Sequence, residues 1–111
     1  MRYAKKSMSQ ISVIGNVNID LVVWPADELP PPGAEVQVET IGMRAAGSAG
    51  DSALALARLG QVPSLVGCVG GDHFGRFILE ELAVAGIEGG VYVLLEEPTG
   101  ITIAFPGPGA R

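Results

Sequence analysis

Ala46-Gly47-Ser48-Ala49-Gly50-Asp51-Ser52-Ala53-Leu54-Ala55-Leu56-Ala57-Arg58-Leu59-Gly60 opens as a small, glycine-rich loop. It then becomes an apolar run whose polar side chains are Asp51, Ser52 and Arg58. Ala and Leu are strong helix formers, and Gly60 can take the left-handed conformation that commonly ends a last turn. The stretch therefore predicts a loop feeding a buried helix. A helix start carries partial positive charge and free N–H groups, and Gly47 and Gly50 let a ligand or a strand come close to the backbone. A polar ligand fits such a place, with the flanking chain building its walls.

Working outward, Ile11-Ser12-Val13-Ile14-Gly15 is a short β-branched run suited to a buried strand. From Asn16 to Trp24 the residues alternate. Val17, Ile19, Leu21 and Val23 face one way, and Asn16, Asn18, Asp20 and Val22 the other. A polar row thus follows a core strand directly. Such a row is often no more than a solvated face. Its place beyond a strand C-terminus is also where open α/β sheets bind ligands. Pro30-Pro31-Pro32-Gly33 is a turn, and Glu35 to Ile41 alternates like a strand with one wet face.

Downstream, Ser64 to Val69 reads as a second buried strand, with Cys68 a small core residue. Asp72 is placed as the N-cap of a helix from His73 to Ala85, which Gly86 ends. Phe74, Phe77, Ile78, Leu82 and Ala85 form its apolar stripe, and His73 is read as a solvent-facing first-turn residue. Val91 to Leu95 is a third core strand, and Gly100 to Phe105 alternates again. Strands alternating with helices imply crossovers around a parallel sheet.

The 111 residues are one domain's worth at most, 48% hydrophobic and 17% charged, a globular composition. A net charge of −5 without a basic run argues against nucleic acid. No apolar stretch approaches the ~20 residues of a membrane span. Residues 1–10 lack the apolar core of a signal peptide and read as a flexible leader. A single cysteine excludes an internal disulfide, and the whole fits a cytoplasmic protein. No G-x-G-x-x-G follows the first strand, no Gly-Lys-Ser/Thr loop occurs, and the lone histidine cannot anchor a zinc cluster. No metal site is expected.

Two constellations remain: Asn16, Asn18 and Asp20, and Gly47, Ser48, Gly50 and Asp51. Amides and carboxylates over exposed backbone suit sugar hydroxyls. Ser48-x-x-Asp51 also fits a capping box, with Ser48 at N-cap and Asp51 at N3, a role compatible with ligand contact.

Val13-Ile14-Gly15-Asn16-Val17-Asn18-Ile19-Asp20 resembles the opening strand of the ribokinase (PfkB) family of carbohydrate kinases. Ala46 to Gly60 is similar to that family's first signature, a Gly-Gly pair, an Asn, then an alanine-rich helix ending in Arg-Leu-Gly. Val69-Gly70-Gly71-Asp72-His73-Phe74-Gly75 resembles its Val-Gly-x-Asp-x-x-Gly segment, and Pro98 to Thr102 its lid strand. The similarity runs in order from about Ile11 onward. It implies an α/β fold with a ribokinase-like parallel sheet, flanking helices and a small β-lid, with lid strands near 20–24, 35–41 and 100–105. It implies an ATP-dependent kinase that transfers the γ-phosphate to a hydroxyl of a sugar or nucleoside, with Mg2+ as its metal. Carried over, Asp20 binds sugar hydroxyls with Asn18 beside it. Gly47 and Ser48 contact the sugar, and Asp51 and Thr102 complete the set. Asp51 stands where the family has Asn and Ala46 where it has the first Gly, which leaves the sugar open. A homodimer through the β-lid is an assembly the resemblance allows.

The family's catalytic Gly-Ala-Gly-Asp motif does not occur here, since Ala49-Gly50-Asp51 belongs to the first signature. Residues 11–111 therefore read as the N-terminal, substrate-binding part of a truncated kinase. That part carries no catalytic base, binds no nucleotide by itself and is inactive alone. A non-catalytic sugar-binding or interaction module derived from the same fold is the alternative.

Overall fold

The computed structural model describes residues 7–24 and 29–107, with side chains described from Ile11 on. Among them the order is β1 (Ser7–Ile14), β2 (Asn18–Trp24), β3 (Thr40–Ala46), α1 (Ser48–Arg58), β4 (Gln61–Gly70), α2 (His73–Val84), β5 (Val91–Leu94) and β6 (Ile101–Ala104). The main sheet is β1-β4-β5, parallel throughout, with Val13 opposite Leu65 and Val69 opposite Val93. The second sheet is β3-β2-β6. There β2 runs antiparallel to β3 and parallel to β6, so that Asp20 lies opposite Arg44 on one side and Thr102 on the other.

The core lies between the helices and one face of each sheet. Ala49, Ala53 and Ala57 of α1, Ile78 and Leu82 of α2, Val62, Leu65 and Val69 of β4, and Ile19 and Ala45 of the second sheet are all buried in it. Ile19, Leu65, Ile78 and Leu82 are its largest fully buried side chains. Each contributes about 1.5–3 kcal/mol by leaving water. Alanines on α1 keep that helix close to β4, so its burial is one-sided: Leu59 is exposed and Asp51 faces solvent.

Several sequence expectations change here. β1 begins at Ser7, so Ser7 to Gln10 belong to the main sheet and not to a leader; residues 1–6 lie outside the described residues. The alternation at Glu35–Glu39 is not a strand. β3 starts at Thr40, paired with Trp24, and extends through Ala46 into what reads from sequence as loop. Hydrophobic alternation gives a strand only where a partner ladder exists, and past the bond from the Glu39 N–H to Trp24 O none of the described strands pairs with residues 35–38. Cys68 is exposed, not a core residue. Strand alternation puts Leu65 and Val69 under the helices and turns Val66 and Cys68 to the opposite face of the sheet, where no described element covers them.

Candidate functional site

β1 ends at Ile14, and the chain crosses from the main sheet to the second through Gly15-Asn16-Val17. The Gly15 N–H still bonds to Val66 O, at 3.2 Å, and three residues later β2 begins. This crossing point sits beyond the C-terminal end of a parallel strand, where the geometry of open α/β sheets leaves a crevice. A cleft of about 460 Å3 opens there, lined by Asn16, Asn18, Cys68, Glu97 and Thr102 among others. Its size suits a small polar ligand.

Asn18 organises the polar wall. Its Nδ2 donates to Asp20 Oδ1 at 3.3 Å, to Thr102 Oγ1 at 3.3 Å and to Ile19 O at 3.2 Å. An amide nitrogen has two protons for these three acceptors, and every one of the contacts is long, so the bonds are weak and exchangeable for ligand hydroxyls. Asp20 Oδ2 accepts from Arg44 at 3.3 Å. Arg44 is 65% exposed and Asp20 21%, so this ion pair contributes at most about 1 kcal/mol. Its effect is to neutralise and orient the carboxylate.

Gly47 closes the wall from behind. Its φ of 92° and ψ of 158° lie in a region essentially reserved for glycine. A Cβ there would stand 2.5 Å from Asn16 O and 2.6 Å from Asn18 Oδ1. Asn16 O in turn accepts from the N–H groups of Ala49 and Gly50, at 3.1 and 3.2 Å. The first-turn donors of α1 are therefore satisfied by a backbone carbonyl. The expected capping box does not form: Gly47 is the N-cap, no side chain caps the helix, Ser48 is its first residue and Asp51 its fourth. The Asp51 N–H bonds to Gly47 O at 2.8 Å.

The structure thus brings Asn18, Asp20, Thr102 and Gly47 together: Asn18 and Thr102 line the cleft, and Asp20 and Gly47 adjoin Asn18 without lining it. Ser48 is exposed at the helix start near Gly15, its Oγ 3.7 Å from where a Gly15 Cβ would stand. Asp51 does not line this cleft. It lines a separate one of about 290 Å3 between the helices, with Arg44, Arg58 and Glu81. Arg44 and Glu97 are missed by the sequence reading. Once the second strand of the hairpin is placed at 40–46, the pairing of Arg44 with Asp20 follows from register alone.

At the other end of the cleft, Asp72 caps α2 as expected, accepting from the Gly75 N–H at 2.8 Å. It also accepts from the Thr99 hydroxyl and, at 2.9 Å, from the Thr99 N–H. The hydroxyl of Thr99, the bonded amide of Thr99 and the bonded amide of Gly75 hold the Asp72 carboxyl down at about 2 from its ordinary 3.8. His73 is exposed, as expected, and contacts Arg76.

No group of three or more His, Cys, Asp or Glu among the described residues could hold a metal ion. The Ala49 and Gly50 N–H groups at the start of α1 are both bonded to Asn16 O. No described helix is long and apolar enough to cross a membrane.

The sequence matches the pfkB family carbohydrate kinase pattern over residues 8–110. It is 39% identical over 80 residues to a ribokinase of Bacillus subtilis (strain 168), a match covering 72% of this chain and 27% of that protein. The fold superposes on a ribokinase from Cryptococcus neoformans var. grubii serotype A in complex with ADP, with TM-score 0.74 and 28% identity, over 93% of this chain and 32% of that one. It also superposes on a fructokinase from Xylella fastidiosa with bound ATP, with TM-score 0.67 and 27% identity, over 90% and 29%. The chain spans about a third or less of the length of these relatives. Their parallel sheet with flanking helices is the one described above, and the chain belongs to the pfkB family of carbohydrate kinases.

Proposed function

We propose that these residues form the acceptor side of an ATP-dependent kinase for a sugar or nucleoside, with the β3-β2-β6 sheet as a lid over the bound hydroxyls. The observation that carries this reading is the single amide of Asn18 spanning Asp20 and Thr102 at the mouth of the cleft. A carboxylate, a carboxamide and a hydroxyl on adjacent strands offer both donors and acceptors to vicinal hydroxyls, and Arg44 holds the carboxylate in place from the other side. Gly47 allows backbone to approach the same point, and Ser48 is within reach of the cleft rim. Asp51, on the other side of α1, is assigned no sugar contact in this reading.

Nucleotide and Mg2+ are handled outside these 111 residues, as the relatives that carry ADP and ATP are about three times as long. Phosphoryl transfer needs charge stabilisation at the phosphates, and this segment contributes none. It binds and orients the acceptor hydroxyl, and alone it turns over no ATP. Ile41, Met43 and Ile103 share the sheet face of buried Ile19 and Ala45 but are exposed, an apolar surface that suits pairing of two lids in a homodimer.

Cys68 lines the cleft and is the single cysteine, so it reports occupancy directly. A panel of pentoses, hexoses and nucleosides is tested for slowing iodoacetamide alkylation of Cys68, read by intact mass. Protection by a member of the panel, lost in Asp20→Ala, supports the reading. Alkylation at an unchanged rate with every compound refutes it. Sugar-dependent ADP formation by the 111-residue chain of verified mass refutes the division of labour.

A further inference from the structure

Among the described residues Thr99 is the only buried polar one, 3% exposed, and it stands three positions before Thr102. Its hydroxyl accepts from the Gly70 N–H at 2.9 Å and donates to Asp72 Oδ1, while its own N–H donates to Asp72 Oδ2. Asp72 Oδ1 also caps Gly75 at the start of α2. One carboxylate and one hydroxyl therefore tie together the end of β4, the start of α2 and the segment that launches β6. The packing leaves no slack: a Cβ on Gly75 would lie 2.1 Å from Gly70 O, and one on Gly70 would lie 2.4 Å from both Glu97 O and Thr99 N.

The next residue, Gly100, accepts from the Ile19 N–H at 3.0 Å, and the β2–β6 ladder then runs from Ile19 opposite Ile101 to Val22 opposite Ala104. β6 is a short edge strand, and its side chains are largely exposed. Little apolar burial holds it in place. We infer that Asp72 and Thr99 are positioning residues that clamp the root of β6 to the main sheet and so hold Thr102 in register with Asn18 and Asp20. The rigid half of the molecule thereby fixes one wall of a site carried by the second sheet. Asp72 is more than the N-cap of a helix. Two of the three hydrogen bonds its carboxylate accepts come from a residue 27 positions away. For its consequence in ligand binding, this inference rests on the acceptor-site reading above.

Amide hydrogen exchange resolved by residue tests it on the intact chain. Asp72→Asn keeps an acceptor for the Gly75 cap, because Asn and Asp are equivalent N-caps, but weakens the grip on Thr99. Thr99→Val removes the hydroxyl, and Thr99→Ser restores it. In Asp72→Asn and Thr99→Val, the amides of Ile101–Ala104 should exchange roughly tenfold faster relative to Gly42–Arg44 of β3, the worth of about one hydrogen bond. Thr99→Ser should sit near the parent. Sugar protection of Cys68 should require a higher sugar concentration in the first two variants. Equal acceleration of the β3 and β6 amides, which a purely structural role gives, overturns the inference, as does no acceleration at all. If β6 loosens selectively while no compound protects Cys68 in the parent, the clamp stands and the acceptor-site reading falls.

Discussion

Gly47→Ala tests the joint between the glycine loop and the polar row. Two costs follow from the structure. The backbone at φ 92° and ψ 158° strains any residue with a Cβ, at roughly 1–3 kcal/mol. The new methyl would also overlap Asn16 O and Asn18 Oδ1, and Asn16 O belongs to backbone and cannot swing aside. Moving it weakens its bonds to the N–H groups of Ala49 and Gly50, worth roughly 0.5–1.5 kcal/mol each. The total is about 2–6 kcal/mol, a large part of the stability of a small domain. Gly60→Ala is the matched control. Its φ of 88° imposes left-handed strain of roughly 1–2 kcal/mol, but its Cβ meets nothing within 4 Å. The assay is urea unfolding of both variants at a protein concentration shown by sedimentation to be monomeric. Gly47→Ala should lose clearly more stability than Gly60→Ala and should also abolish sugar protection of Cys68, because Asn18 is displaced. Equal losses in the two variants would refute the contact argument and leave strain alone as the role of the glycine.

Asp20→Ala should weaken sugar binding well over tenfold with only a small change in the melt. It removes charge-assisted hydrogen bonds of roughly 1.5–3 kcal/mol each, whereas the pair with exposed Arg44 contributes little to folding; titration of Cys68 protection and a thermal melt check both limbs. Asp51→Asn should lower the melt slightly, since a first-turn carboxylate gains roughly 0.3–1 kcal/mol from the helix dipole, and should leave the ranking of ligands unmoved; a changed ranking would return Asp51 to the site. Asp72 has a depressed folded-state pKa, so its contribution is fully present above the unfolded value of 3.8 and is lost as pH falls from there through about 2. Thr99→Val, which removes the largest cause of that depression, should therefore be less stable than the parent at neutral pH, and the gap should narrow across this window in acid titrations followed by circular dichroism. The uncovered face with Ile14 and Tyr92 predicts concentration-dependent association of the chain; Tyr92→Lys should suppress it in sedimentation velocity, and a parent that stays monomeric at every concentration would count against the exposed face as an association surface.

Both helices are legible from sequence because their signals are local. Asp72 with Gly86, and the glycine-rich loop with Gly60, bracket runs whose apolar spacing already fits one face, and the helices appear between those marks, the first capped at Gly47 and not at Ser48. The parallel order of the main sheet follows from the alternation of strands with helices. The polar row at Asn16, Asn18 and Asp20 is legible for the same reason, since alternation fixes which side chains share a face once the strand is granted. Pairing is another matter. Glu35–Glu39 alternates as cleanly as Thr40–Ala46, and only the antiparallel ladder with β2 decides that the second of these is the strand. That ladder sets Arg44 against Asp20, a contact between residues 24 apart that no local pattern encodes.

Tertiary structure alone also decides which face of a strand is covered. Cys68 sits in an apolar run and yet faces the cleft, because the helices lie on the other side of β4. Ser48 and Asp51 have the spacing of a capping box, but Asn16 O reaches the helix start first, and the angular step of α1 then carries Asp51 round to a different cleft from Asn18. The chain by itself determined both helices, the strands of the main sheet and the polar row after the first of them, since these depend on neighbours within a few positions. Folding decided which of those residues meet. Hydrogen bonds such as Asn18 to Thr102 and Asp72 to Thr99 join residues 84 and 27 positions apart, and the sheet register that brings them together is a property of the whole core.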